Sequence, residues 1–332
     1  MGIRPVNVDD VTLALQANSF LVLGRAGMDL YADPPGTRME EARRFEAHLG
    51  GSAANIAAAL SRQGGRAALL TRVSDDAVGR FVLAELDRYA IGRAHVGTIG
   101  QGLRTSLAVV ETRTENCQSV IYRNGAADFA LDAGDVAAVD FRDFGALVIT
   151  GTALADESSR RATMAALSGA RAAGAVTVMD VDYRPYSWAS TAAALAACLA
   201  AARACDVVIG NDEEFGLLAG SAAGGLDAAR QLVADACAIA VYKMGEKGAV
   251  TISAEGEVTT GIYRTQALKP TGAGDAFMAG LLAALAGGRP LREATLRGSA
   301  AAAIVVSRVG CAPASPTTAE LDAFLRAQPE PE

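Results

Sequence analysis

Histidine is almost missing from this chain: His48 and His95 are the only two among 332 residues. A His-rich metal site is therefore excluded. The five cysteines, Cys117, Cys198, Cys205, Cys237 and Cys311, are irregularly spaced and form no CxxC pair. That pattern speaks against a disulfide framework or a zinc site and for a reducing, cytoplasmic setting. Aromatic residues reach only 5%, which leaves few rings to sandwich a nucleobase as substrate. No run of about twenty uncharged apolar residues appears, so no membrane span is expected. The opening MGIRPVNVDDVTLALQ has no long apolar core, so no signal peptide is expected either. With a net charge of −7 and no basic arm, nucleic acid is not an expected partner.

What is present is apolar and small. Hydrophobic residues make up 51% of the chain, enough for a large core in one α/β domain spanning 1–332. Short apolar runs at 20–24 (FLVLG), 67–73, 146–150 (ALVIT), 175–180, 207–210, 239–243 and 249–253 read as strands. Helical spacing covers 55–62, 79–89, 158–173, 192–204, 212–219, 276–285 and 291–307. From residue 146 onward strand and helix alternate, which predicts a parallel sheet with helices on both faces. The β-branched, alternating stretches 105–110 and 119–122 break that rhythm and read as antiparallel strands. Together with the polar segment 31–46 they suggest a small sheet standing off the main body, a candidate lid over 29–48 and 104–126. Residues 313–316 and the final QPEPE read as a loop and a frayed tail.

Two glycine turns enter apolar helices. In KPTGAGDAF, Gly272 and Gly274 permit a tight turn that exposes successive N–H groups, and the following helix adds its positive end. Asp275 sits in the first helical turn. It is either a stabilising N-terminal acid or a general base beside an anion hole. In GGSAAN, Gly50 and Gly51 allow close approach of a ligand to backbone, and Asn55 could hydrogen-bond a hydroxyl. Each turn alone is also compatible with a plain helix start.

The pair, GGxxxN near the front and GAGDxFxxG near the back, resembles the two signatures of the ribokinase-like (PfkB) carbohydrate kinases, in order and over nearly the whole chain. The resemblance implies an α/β, ribokinase-like fold: a central, mainly parallel sheet flanked by helices on both faces, with a small β-sheet lid. It implies ATP and Mg2+ as cofactors. By the same resemblance Asp275 is the base and the amides of Ala273 and Gly274 stabilise the transferred phosphoryl group. Asp29 contacts the sugar, alongside Gly50, Gly51 and Asn55. Asn211 and Glu214, in NDEE, hold nucleotide and magnesium, Glu214 through water. Lys243, Gly245 and Gly248, in KMGEKGA, lie beside the ATP phosphates, and Ser307 belongs to the helix and loop flanking the adenine. One departure stands out. Many relatives carry Asp-Thr where this chain has Lys269-Pro270, at a position that often lines a monovalent-cation site, so potassium use is left open. Related kinases often pair through their lids, which makes a homodimer through the lid the expected assembly.

Three further stretches, IYRNGAAD, DVDYRPYSW and SRVGC, resemble family members that act on keto-deoxy sugar acids. They imply phosphorylation of 5-dehydro-2-deoxygluconate to its 6-phosphate in inositol catabolism, with 2-keto-3-deoxygluconate or another sugar as the alternative. A carboxylate substrate in an acidic protein needs fixed cations, and a guanidinium can clamp it bidentately. Arg123 and Arg184 are the candidates, with Asp182 beside them. Arg123 could instead be a surface lid charge, and Arg184 could instead pair with Asp180 or Asp182. Tyr122 could line the pocket or face the core. Trp188 packs under its loop or stacks on substrate, and Cys311 reads as a buried small residue. Two other function classes fit the residues less well. GRAG after the first strand suggests a nicotinamide-dependent dehydrogenase, but the third glycine of GxGxxG is missing and no acid ends a second strand at the needed distance. A silent sensor on the same fold is opposed by the retained Asp275 and its glycines.

Overall fold

The computed structural model describes residues 7–100 and 102–331. The first six residues of the opening stretch thus lie outside the described residues. Among the described residues there are thirteen strands: β1 (Ser19–Leu23), β2 (Gly27–Asp33), β3 (Arg44–Gly50), β4 (Arg66–Ser74), β5 (Val96–Ile99), β6 (Ser106–Val110), β7 (Ser119–Tyr122), β8 (Ala146–Thr150), β9 (Val176–Asp180), β10 (Val207–Asn211), β11 (Ile239–Lys243), β12 (Ala249–Ser253) and β13 (Gly256–Thr260). Nine form the main sheet in the order β13-β12-β11-β10-β9-β8-β1-β4-β5. Strands β11 to β8, β1, β4 and β5 run parallel, and β12 and β13 add an antiparallel edge.

The apolar runs that lack alternation belong to this sheet. Every residue of β1, β8 and β9 is buried, because a parallel sheet is covered on both faces and each side chain meets a helix. Helices Ser52–Arg62, Ala77–Arg88 and Ala273–Ala286 supply the core on one face. Glu157–Ala173, Thr191–Ala202 and Gly225–Asp235 supply it on the other. The Ala273–Ala286 helix is apolar nearly all round and buries residues from Ala276 to Leu285, as a core helix does.

The second sheet has the order β3-β2-β6-β7. β2 runs parallel to β6, and β3 and β7 flank them antiparallel. Here period-two alternation is real. Asp29, Tyr31, His48, Ala108 and Val110 are buried on the inner face, and the Tyr31 hydroxyl lies 3.1 Å from Cys311 Sγ of the main body. Register partners point to one side of a sheet. Met28, Leu30, Leu107, Val109 and Val120 therefore share the outer face with Tyr122. The sheet extends the expected lid at both ends, since β2 begins at Gly27 and β3 runs to Gly50. Helix Thr318–Ala327 precedes the tail, started by a reciprocal cap between Thr317 and Glu320.

Candidate active site

The carboxyl ends of the parallel strands converge on one cleft, the usual location for a ligand in an open α/β sheet. Asp180 closes β9, and Asn211 and Lys243 close β10 and β11 as register partners. Asp182 follows β9 and is buried, with φ of 36°, an uncommon conformation for a residue with a Cβ. It is held there by the Thr152 hydroxyl, which donates at 3.0 Å, and by Arg184 at 2.9 Å.

The TGAGD turn faces these strand ends. Gly272 adopts φ of +84°, and a Cβ on it would stand 2.6 Å from Cys311 Sγ. No other residue fits that turn without moving the buried cysteine beneath it. Cys311 is thus a packing residue under the turn. The helix starting at Ala273 has no side-chain cap, so its first N–H groups, including those of Ala273 and Gly274, are free to meet an anion. Lys243 Nζ lies 3.3 Å from where a Gly274 Cβ would be, which puts a positive charge at the same spot. Asp275 is half-buried, and Asn55 donates to its Oδ2 at 3.0 Å. Burial, reinforced by Asp182, pushes the Asp275 carboxyl up to about 7, against the lowering pull of Asn55, Arg184 and Lys243. A carboxylate poised there can take a proton near neutral pH.

The lid supplies Asp29 from its inner face. Burial raises its carboxyl above the usual range, while Arg25 and Lys269 oppose that rise. Its Oδ1 occupies the space where a Cβ on Gly50 would be, at 1.9 Å. Gly50 is therefore required by Asp29 itself, and Gly51, at φ of +94°, turns the chain into the helix that carries Asn55. Asp29 Oδ1 and Asn55 Oδ1 are buried without hydrogen-bond partners. Such atoms are rare and costly unless something else meets them.

The two arginines differ from each other. Arg123 is buried, pairs with Asp128 and lies over the Phe129 ring at 4.1 Å, so it is no free surface charge. Arg184 pairs with Asp182 and keeps its side chain 48% exposed. That carboxylate, more than any other neighbour, holds the guanidinium in its charged form. A cavity of about 270 Å³ is lined by Arg123, Asn124, Phe129, Tyr186 and Ser187. Tyr122 departs from the expectation that it lines this pocket. It is 60% exposed on the outer face of the lid, because one residue along a strand reverses the side chain's direction. Trp188 is half-buried and packs against the core.

The NDEE stretch forms a reciprocal cap. Asn211 Oδ1 accepts from the Glu214 N–H at 2.8 Å, and Glu214 Oε2 accepts from the Asn211 N–H at 2.7 Å. Glu214 is buried and its carboxyl raised, chiefly by burial, while Lys243 opposes the rise. Gly245 and Gly248 shape the turn after Lys243; a Cβ on Gly248 would strike the Thr260 carbonyl at 1.9 Å. Ser307 caps its helix through a bond to the Ile304 carbonyl at 2.7 Å, and makes no contact with the other candidate residues among its hydrogen bonds. Asp128, Thr152, Asp180 and Arg25 join the cleft without having been singled out for it. Asp128 lies only five residues beyond Arg123 in the same stretch, and the Asn124-Gly125 pair between them is a turn signal that could have pointed to it.

Comparison with known proteins identifies the family. Residues 17–318 match the family described as pfkB family carbohydrate kinase. The chain belongs to this family. It is a sugar kinase by descent. A relative from Photobacterium profundum, 5-dehydro-2-deoxygluconokinase, is 39% identical over 311 residues, covering 92% of this chain and 94% of that protein. A solved double mutant of fructokinase from Vibrio cholerae, bound to fructose, ADP and potassium, superposes with a TM-score of 0.80 at 26% identity, covering 92% of this chain and 98% of that one. A putative ribokinase II from E. coli in complex with ATP and Mg2+ shares the fold, with a TM-score of 0.83 at 19% identity, covering 93% and 99%. Among the described residues, no helix is long and apolar enough to cross a membrane.

Proposed function

We propose that this kinase transfers the γ-phosphoryl group of ATP to 5-dehydro-2-deoxygluconate, giving the 6-phosphate and ADP. The observation that carries the transfer is Asp275, with its carboxyl near 7, beside uncapped helix N–H groups and Lys243. The substrate hydroxyl gives its proton to Asp275 as its oxygen bonds to the γ-phosphorus. The bond to the β-phosphate oxygen breaks, and ADP leaves with the electron pair. Ala273 and Gly274 N–H groups and Lys243 meet the charge on the moving phosphoryl group. The unpaired Oδ1 atoms of Asp29 and Asn55 would accept hydrogen bonds from sugar hydroxyls. The acid end of the substrate points to the Arg123 cavity and Arg184.

Magnesium fits as a water-held ion. Among the described residues no three His, Cys, Asp or Glu side chains converge as a metal cage. Burial raises the Asp180 and Glu214 carboxyls and Lys243 opposes that rise, and a bound cation would draw both further toward the charged form. Such a set suits an ion that keeps its own waters and the ATP phosphates, with Glu214 and Asn211 holding it through water. Its chemistry when bound is neutralisation of phosphate charge. Closure of the lid over the cleft would exclude water.

The choice of sugar acid rests on the 39% identity to the Photobacterium relative together with the two arginines. A coupled ADP-release assay tests it with 5-dehydro-2-deoxygluconate, 2-keto-3-deoxygluconate, fructose, ribose and adenosine. The best kcat/KM is expected on the first. A better rate on 2-keto-3-deoxygluconate changes the acid, and activity only on a neutral sugar removes the arginine clamp. The apolar outer lid face, with Phe45, Val120 and Tyr122 exposed, suits a two-fold pairing of lids. A monomer in sedimentation at micromolar concentration would dismiss that assembly.

A further inference from the structure

Lys269 has no exposed surface and ranks among the largest fully buried side chains. Lysine is seldom found so deep, because its ammonium must surrender water. Its Nζ donates to the Thr271 carbonyl at 2.5 Å, and no carboxylate lies within ion-pair distance of it among the described residues. Its backbone is fixed as well, since the N–H groups of Leu268 and Lys269 both bond the Val306 carbonyl. The ammonium therefore grips the peptide directly before Gly272. That peptide leads into the turn presenting the Ala273 and Gly274 N–H groups beside Asp275. Burial lowers the Lys269 pKa, and Cys311, Asp275, Cys117 and Asp29 oppose that fall.

The fructokinase relative holds potassium, and this stretch is where the family resemblance places a monovalent-cation site. The residues of this chain do not fit one. A loose ion must replace its water shell with several oxygens, and here a fixed positive charge already holds the Thr271 carbonyl. A second cation alongside it would be repelled strongly at low dielectric.

We propose that the Lys269 ammonium is a tethered stand-in for that ion: it positions the TGAGD turn and makes turnover independent of added potassium. Lys269 is a positioning residue and touches no reacting atom. The proposal rests on the kinase reading above for its effect on rate, but not for its effect on ion binding.

The test uses the full-length protein in tetramethylammonium buffer, with KCl, NH4Cl or NaCl added at constant ionic strength. ADP release and thermal melting are both read, and circular dichroism checks the fold. Wild type is expected to change rate less than twofold with potassium, and its melting temperature should not depend on which cation is present. Lys269→Met keeps most of the volume and should turn over about 10- to 100-fold more slowly with no rescue, as a misplaced reacting geometry does. Lys269→Ala opens a space. It should lose similar rate and regain at least tenfold with ammonium or potassium, with a melting rise specific to those ions. Stimulation of wild type tenfold or more by potassium would overturn the proposal, and so would a near-wild-type rate in Lys269→Met without potassium. If neither variant folds, the response of wild type to potassium decides alone. If wild type turns over no sugar in the panel, the kinase reading fails, while a potassium-specific melting rise in Lys269→Ala but not wild type would still uphold the tethered cation.

Discussion

Replacing Asp275 by Asn should have two effects of opposite sign. Asn keeps an oxygen to accept from Asn55, now at 3.0 Å from Asp275 Oδ2, but it takes no proton. Loss of a general base typically costs about 100- to 10,000-fold in kcat. Stability should move the other way. The folded carboxyl titrates at about 7, against 3.8 for an unperturbed aspartate. At about 1.4 kcal/mol for each tenfold change, ionising it in the folded state costs at most about 4 kcal/mol. Because the group is half-buried and the cleft admits water, about 1–3 kcal/mol is the expected size. Below pH 3.8 both folded and unfolded carboxyls are protonated, and the residue has no effect on folding. As pH rises from there toward 7, the unfolded state ionises first, and wild type loses stability until the folded group ionises too. The variant should therefore melt about 1–4 °C above wild type at pH 8, given a chain of 332 residues. That gain should shrink as pH falls and vanish near pH 4. Melts of both proteins across this range, without nucleotide, and kcat on the best sugar provide the check. A gain that does not vary with pH, or a variant less stable at pH 8, would refute the idea that the fold holds this carboxyl against ionisation. A near-wild-type kcat would refute its role as base.

Other perturbations reach separate parts of the cleft. Gly50→Ala places a methyl 1.9 Å from Asp29 Oδ1, so the KM for sugar should rise at least about tenfold while the KM for ATP stays within about twofold. Steady-state kinetics on both substrates separate the two. Arg184→Gln removes a charge that lowers the Asp275 pKa and leaves Asp182 uncompensated. The acidic limb of kcat/KM should move up by about 0.5–1 pH unit, which a rate profile from pH 5.5 to 9 would show. Glu214→Gln keeps an acceptor for the Asn211 N–H, now bonded at 2.7 Å, so stability should change by less than about 1 kcal/mol. The magnesium concentration for half-maximal rate should rise about tenfold, as measured by titration.

Much of this molecule was legible in its order of residues. The apolar runs of β1, β8, β9 and β10 read as covered strands, because apolar residues fall on both faces of each. The glycine turns at Gly50 and Gly272 showed in the sequence as tight turns entering apolar helices. The helix mouth placed Asp275 among free N–H groups through local geometry alone. Short-range rules act over a few residues, and those features live within a few residues. Contacts between distant segments were decided only by the tertiary structure. Asp29 explains Gly50 because β2 and β3 pair across the lid. Asn55 finds Asp275 from 220 positions away. Tyr122 faces outward because the register of β7 on β6 fixes its side, a choice that one residue of slip would reverse. In the sequence Lys269 stands out only as a departure from the family's usual residues, with nothing to show its surroundings. Only the packed turn shows its charge buried against the Thr271 carbonyl, because burial and electrostatic environment are properties of the whole fold.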